Sequence, residues 1–185
     1  MNPSLDALML ALYLQIPIVF GGVWHMVAVK RHWLPTLCVP VSEPLFGRNK
    51  TWRGLLLVPA LTALGALLLW PLEWLQSLFA QTSLLAGHSL LLVGLCGGLG
   101  YVLAELPNSW IKRRLGIAPG DTPERRRLLF LAMDQIDSGV GAAIAYWLFP
   151  GIILTAAALY VLTFPLVALM VKRLLFLSGL KSSPA

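Results

Sequence analysis

The chain has 185 residues, 58% of them hydrophobic and 12% charged, with a formal net charge of +6. A soluble domain is closer to half apolar and a quarter charged, so this balance and a mean hydropathy of +0.78 exclude an ordinary soluble enzyme and predict an all-α, polytopic membrane helix bundle. The basic excess alone would suit nucleic acid, but its distribution along the chain fits membrane topology instead, and no nucleic-acid partner is expected.

The first apolar run covers about 5–29 and is interrupted by Gln15, Pro17 and His25. Asp6 precedes it and the first basic residue is Lys30, so it reads as a retained helix and not a cleavable signal. A polar, proline-rich loop at 30–53 follows, with room for a short re-entrant piece. The second run covers 54–72, and a short connection without basic residues leads to the third, 84–106. Gly94 and Gly98 stand four apart there, on one helix face, and let another helix backbone approach closely.

Thr122-Pro123-Glu124 has the pattern of a helix start: a hydroxyl cap, proline at the first position, then an acid. The helix it opens would carry the fourth span, 128–149. If the bilayer begins near Leu128, Asp134 and Asp137 lie roughly 9 and 13 Å deeper, at 1.5 Å per residue. Pro150-Gly151 reads as a turn before the fifth span, 152–171. The expectation is one integral membrane domain over 1–185, with five spans and cytoplasmic loops at 30–53 and 107–127.

The basic residues fix the orientation. Lys30, Arg31, Arg48, Lys50 and Arg53 lie between spans one and two. Lys112, Arg113, Arg114, Arg125, Arg126 and Arg127 lie between spans three and four. Lys172, Arg173 and Lys181 follow span five, which accounts for all 14 Lys and Arg. Five spans put these regions on one side, and the positive-inside rule makes that side the cytoplasm. The amino terminus is then outside, the carboxy terminus cytoplasmic, and the protein multi-pass in the cell (plasma) membrane. Cys38 and Cys96 are too few and too far apart in kind for a disulfide framework or a zinc site.

The chemistry is concentrated between Glu105 and Asp137. Glu105 closes the third apolar run; Asp134 and Asp137 sit inside the fourth, three apart and on one helix face. Carboxylates at membrane depth are costly and usually functional. Beside a basic cluster they suit hydrated Mg²⁺ bound with phosphates, and the segment reads as a handler of a nucleoside triphosphate at the membrane surface. Spacing alone also allows structural ion pairs with Arg113, Arg114 or Arg127. Lys50, Thr51 and Arg53 stand just before a helix, whose free N–H groups favour phosphate, although the Walker A spacing is missing.

Four stretches together resemble the CDP-archaeol synthase family of membrane cytidylyltransferases, relatives of the CDP-diacylglycerol synthases. They are Leu45-Phe-Gly-Arg-Asn-Lys-Thr-Trp-Arg-Gly54, Ser109-Trp-Ile-Lys-Arg-Arg-Leu-Gly116, Asp134-Gln-Ile-Asp137 and the closing Leu174-Leu-Phe-Leu-Ser-Gly-Leu-Lys181. The resemblance implies a reaction of CTP with a membrane lipid phosphate, giving a CDP-lipid and pyrophosphate with Mg²⁺ as cofactor. It implies Lys50, Thr51, Arg53, Ser109, Lys112, Arg113 and Arg114 as nucleotide or phosphate ligands. It implies Glu105, Asp134 and Asp137 as metal ligands, and Asp134, Asp137 and Lys112 as catalytic residues. This chain has Ala104-Glu105 where the family tends to have Gly-Asp, and Pro107-Asn108 where smaller residues are usual. A homodimer stays open. The alternative readings are a CTP-dependent lipid kinase, a CDP-alcohol phosphotransferase, or a non-catalytic protein that binds anionic lipid.

Overall fold

The computed structural model describes residues 3–80, 84–85, 87–121 and 127–180, so the expected helix start at Thr122-Pro123-Glu124 lies outside the described residues. Among them the fold is helical, with no strand beyond one isolated antiparallel bridge between Pro40 and Thr51. The helices are α1 (Pro3–Tyr13), α2 (Gln15–Lys30), α3 (Glu43–Phe46), α4 (Trp52–Ala66), α5 (Leu69–Ala80), α6 (Leu90–Arg114), α7 (Arg127–Leu148) and α8 (Leu154–Leu177). Among the described residues four segments are long and apolar enough to cross a membrane: Pro3–Lys30, Trp52–Leu78, Leu90–Arg114 and Leu154–Leu177. Helix α7, which carries Asp134 and Asp137, is not one of the four.

The first segment is broken at Leu14, between α1 and α2. Pro17 lacks the N–H that would bond back to the carbonyl of Tyr13, and the Tyr146 hydroxyl donates to the adjacent Leu14 carbonyl at 3.0 Å. The segments then pack in chain order: α2 on α4, α4 on α6, α6 on α7, α7 on α8, and α8 back onto α1 and α2. The best-buried side chains, Tyr146, Tyr160, Leu14 and Leu69 among them, share one apolar core.

Three boundaries differ from the hydropathy pattern. The third apolar run ends at Leu106, yet helix α6 continues to Arg114 through Pro107, so the beginning of the expected 107–127 loop is two further helical turns. At its other end α6 starts late, at Leu90, where the Ser89 hydroxyl accepts from the Leu92 N–H at 3.5 Å and Gly87 has a positive φ of 80°. The connection expected after residue 72 likewise begins as helix, because α5 runs through Glu73 to Ala80. Glu73 is buried there, and its Oε2 accepts from the Leu85 N–H at 2.9 Å.

Helix α6 occupies the centre because its glycines bring two neighbours close. A Cβ at Gly94 would lie 2.5 Å from the Thr62 carbonyl oxygen, so the expected close approach of another helix is made by α4. On the opposite side a Cβ at Gly141 would lie 2.2 Å from the Ala104 Cβ and 2.3 Å from the Gly100 oxygen. That contact sets the α6–α7 distance and so the spacing of every residue projecting between them. We expect Gly141→Leu to destabilise the fold by about 1–3 kcal/mol through overpacking. Gly54→Ala, whose new methyl would meet only the His25 ring, at 3.6 Å from Nε2 and 3.8 Å from Cε1, should stay near wild type. Thermal unfolding in detergent measures both.

Candidate functional site

On α6, Glu105, Asn108 and Lys112 follow one another at steps of three and four residues. They therefore share one face, one helical turn apart. That face meets the stretch of α7 that carries Asp134, Asp137 and Ser138. The Asn108 amide is buried and donates both its protons, to Asp134 Oδ1 at 2.7 Å and to Asp137 Oδ2 at 2.6 Å. Two carboxylates accept only, so the NH₂ group must be the one that faces them. Asn108 Oδ1 is left buried and without a partner.

Lysines close the ends of the cluster. Lys112 Nζ reaches both oxygens of Asp134, at 2.5 and 2.6 Å. Lys50 Nζ pairs with Glu105 Oε2. Lys50 arrives on the loop before α4, which is pinned by the Val41 N–H to Lys50 oxygen bond at 2.8 Å and the Trp52 N–H to Val39 oxygen bond at 3.0 Å. Thr51 caps α4, its hydroxyl accepting from the Gly54 N–H at 3.4 Å.

Ser138 links the remaining acids. Its hydroxyl stands 3.2 Å from Glu105 Oε1 and 3.0 Å from Asp137 Oδ1, and its backbone N–H donates to the same Asp137 oxygen at 2.6 Å. One hydroxyl has one proton, so only one of the two carboxylates receives it at a time. Among the described residues Asp137 has no Lys or Arg within ion-pair distance. Three carboxylates and two ammonium groups leave the cluster one negative charge in excess.

The other expected ligands divide. Arg113 packs its Nη1 3.1 Å from the point where a Cβ on Gly47 would lie, and its Nε and Nη1 are buried without partners. It thus packs the end of α6 against Gly47 without a hydrogen bond from these nitrogens. Buried Arg53 donates to the Trp33 carbonyl at 3.2 Å and does not contact the acids. Arg114 is exposed and lies over the Trp110 ring, 5.3 Å from its centroid, away from the acids. Ser109 lies on α6 between Asn108 and Trp110 and makes no hydrogen bond to the cluster.

The three acids converge, but they do not form a ready-made three-ligand cage. Among the described residues no group of three His, Cys, Asp or Glu side chains is arranged to hold a metal ion. Asn108 and Ser138 stand between the carboxylates, and Glu105 is engaged by Lys50.

A half-enclosed cavity of about 310 Å³ adjoins the cluster, sharing Lys50 and Glu105 with it. Lys50, Thr51, His25 and Lys172 give it a polar part, and Ile18, Leu55, Val58, Val102, Phe164 and Val171 give it apolar walls. Asn108 and Ser138 as connectors, and His25 as a lining residue, are not marked by the sequence pattern. For Asn108 the signal is its register with Glu105 and Lys112, visible only once the helix is carried past Pro107.

Comparison with known proteins bears on this arrangement. A family model described as "CarS-like: CDP-archaeol synthase" matches residues 40–184. A curated CDP-archaeol synthase from Staphylothermus marinus is 28% identical over 109 residues, which cover 57% of this chain and 49% of that protein. The match thus spans about half the length of this curated relative. No solved structure matches the chain.

Asn108→Leu removes two hydrogen bonds to carboxylates, each worth about 1.5–3 kcal/mol. We expect it to destabilise the protein by about 3–6 kcal/mol in thermal unfolding, while Ser109→Ala changes little.

Proposed function

The chain belongs to the CarS-like CDP-archaeol synthase family, and from that premise we propose that it is a CTP-dependent cytidylyltransferase acting on a membrane lipid phosphate. The observation that carries this reading is the union of a carboxylate–ammonium cluster with an apolar cavity through one shared ion pair, Lys50–Glu105. A reaction between a soluble triphosphate and a lipid needs such a boundary. The cluster suits the triphosphate and the cavity suits the lipid.

In the proposed reaction an oxygen of the lipid phosphate attacks the α-phosphorus of CTP. A new P–O–P link forms, the bond between the α-phosphorus and its bridging oxygen to the β-phosphate breaks, and pyrophosphate leaves with that electron pair. No protein nucleophile is needed. Lys112 and Lys50 would neutralise charge on the phosphates, Lys112 on the nucleotide side and Lys50 toward the lipid phosphate. Glu105 would hold Lys50 in place, and Arg113 would keep the Gly47–Lys50 loop against the end of α6. Arg53 would serve the loop through Trp33 and not the phosphates directly.

The donor set fits a divalent cation of the Mg²⁺ kind. Asp137 has no cationic partner among the described residues, and the single proton of Ser138 cannot serve both neighbouring carboxylates. Mg²⁺ is commonly held by one or two carboxylates plus substrate phosphates, which matches Asp134 and Asp137 better than a three-acid cage. Bound there, the ion would supply positive charge where charge builds on the triphosphate.

The membrane topology is part of the proposal. With α7 as a fifth crossing, Lys50, Lys112 and Lys172 share the cytoplasmic side, where CTP is found, and the amino terminus faces out. The acids of α7 then face α6 and not lipid.

Purified protein given CTP labelled at the α-phosphate, Mg²⁺ and lipid phosphates should transfer the label to lipid and release pyrophosphate. Asp137→Asn should insert normally and lose activity by about 10²–10³-fold, the scale of one lost charge-stabilising contact. Transfer of a γ-phosphate label to lipid would instead show a lipid kinase.

A further inference from the structure

Helix α2 carries two adjacent glycines of different character. A Cβ on Gly21 would lie 2.2 Å from Thr62 Oγ1, so its smallness is demanded by the contact with α4. A Cβ on Gly22 would meet nothing within 4 Å, and the residue does not have a positive φ. A glycine inside a helix costs about 0.5–1 kcal/mol relative to alanine. At Gly22 neither packing nor backbone geometry offsets that cost.

The space that Gly22 leaves belongs to the cavity. Gly22 lines it together with Ile18 and Met26, at spacings of four along α2, and His25 stands beside them. All of these precede residue 40, where the family match begins. At about 310 Å³ the cavity is at the small end of ligand sites, so it admits the head and the adjoining part of a lipid, with the rest of the chains outside. Apolar walls and a lining that includes Lys50 and Lys172, with Glu105 already paired to Lys50, complement a phosphate monoester on an apolar chain.

We infer that Gly22 is a specificity-determining position, whose missing side chain sets the bulk of the lipid phosphate that fits beside Lys50. This rests on the reading of the protein as a lipid-phosphate cytidylyltransferase, and it adds which wall of the cavity selects the lipid. A larger side chain at position 22 would project into the cavity and not into the fold.

The test uses the full-length protein in detergent with Gly22→Leu and Gly22→Phe. Binding of fluorescent lipid phosphates (a diacyl, an isoprenoid diether and a single-chain form) is measured without CTP, so turnover is not required. Wild-type protein should bind at least one of them. Both variants should unfold at or slightly above the wild-type temperature and weaken two-chain binding by at least about tenfold, the least that an ill-fitting methylene costs in an apolar pocket. The single-chain form should lose less, and the KM for CTP should stay within about twofold. Unchanged lipid binding in well-folded variants, no lipid binding by the wild type, or an equal rise in the KM for CTP would overturn the inference. If the variants lose lipid binding but the wild type makes no CDP-lipid, the reaction is wrong and the selecting role of Gly22 stands. If the wild type makes CDP-lipid and the variants bind lipid equally well, only the inference fails. Should Gly22→Phe not fold, Gly22→Leu decides.

Discussion

Asn108 stands between Asp134 and Asp137 and gives one amide proton to each. Without it the neighbouring carboxylates of Asp134 and Asp137 on α7 would lose the donor they share. Burying a charge without partners costs several kcal/mol. The amide, the two lysines and Ser138 distribute that burden, so the acids persist between the packed helices α6 and α7. The rest of the fold serves this contact. Gly100 and Gly141 let α6 and α7 come close enough for a short amide to span both acids. The loop before α4 brings Lys50 to the far end, and the return of α8 to α2 closes the cavity beside it.

The charge balance explains why the cluster is stable yet receptive. Two lysines cancel two carboxylates, and Asp137 is held only by neutral donors among the described residues. A fully neutral network would have little use for a cation. A network with several free acids would be too costly to bury. One excess negative charge, beside amines that can turn from carboxylate to phosphate, suits a triphosphate that arrives with its counter-ion. Glu105 has a particular place in this balance. Its side chain reaches Lys50 on one side and Ser138 on the other, and so couples the acids of α7 to the cavity wall.

Much of this was legible in the sequence, for identifiable reasons. Apolar runs and the confinement of every basic residue to three regions gave the helical membrane class, and the three-residue spacing of Asp134 and Asp137 gave their shared face. The pairing of Gly94 and Gly98 gave a close helix contact, which α4 makes. The role of Asn108 was hidden by hydropathy, because the apolar run stops at Leu106 while the helix continues to Arg114. A proline at 107 reads as a stop, yet a helix packed on both sides carried it. Arg53 and Arg114 look alike in the sequence as cations near phosphate motifs. Tertiary packing sends Arg53 to the Trp33 carbonyl, whereas the four-residue step along α6 lays Arg114 on Trp110. His25 and Gly22 were silent for the same reason: a cavity shared by four helices leaves no pattern in any one of them.

The most direct test of the account is a structure determined with CTP and Mg²⁺ bound. The account predicts the triphosphate against the α6–α7 face, the ion on Asp134 and Asp137, and Lys112 moved from Asp134 to a phosphate oxygen. A nucleotide bound elsewhere, with the Lys112–Asp134 pair intact and no ion beside Asp137, would contradict it.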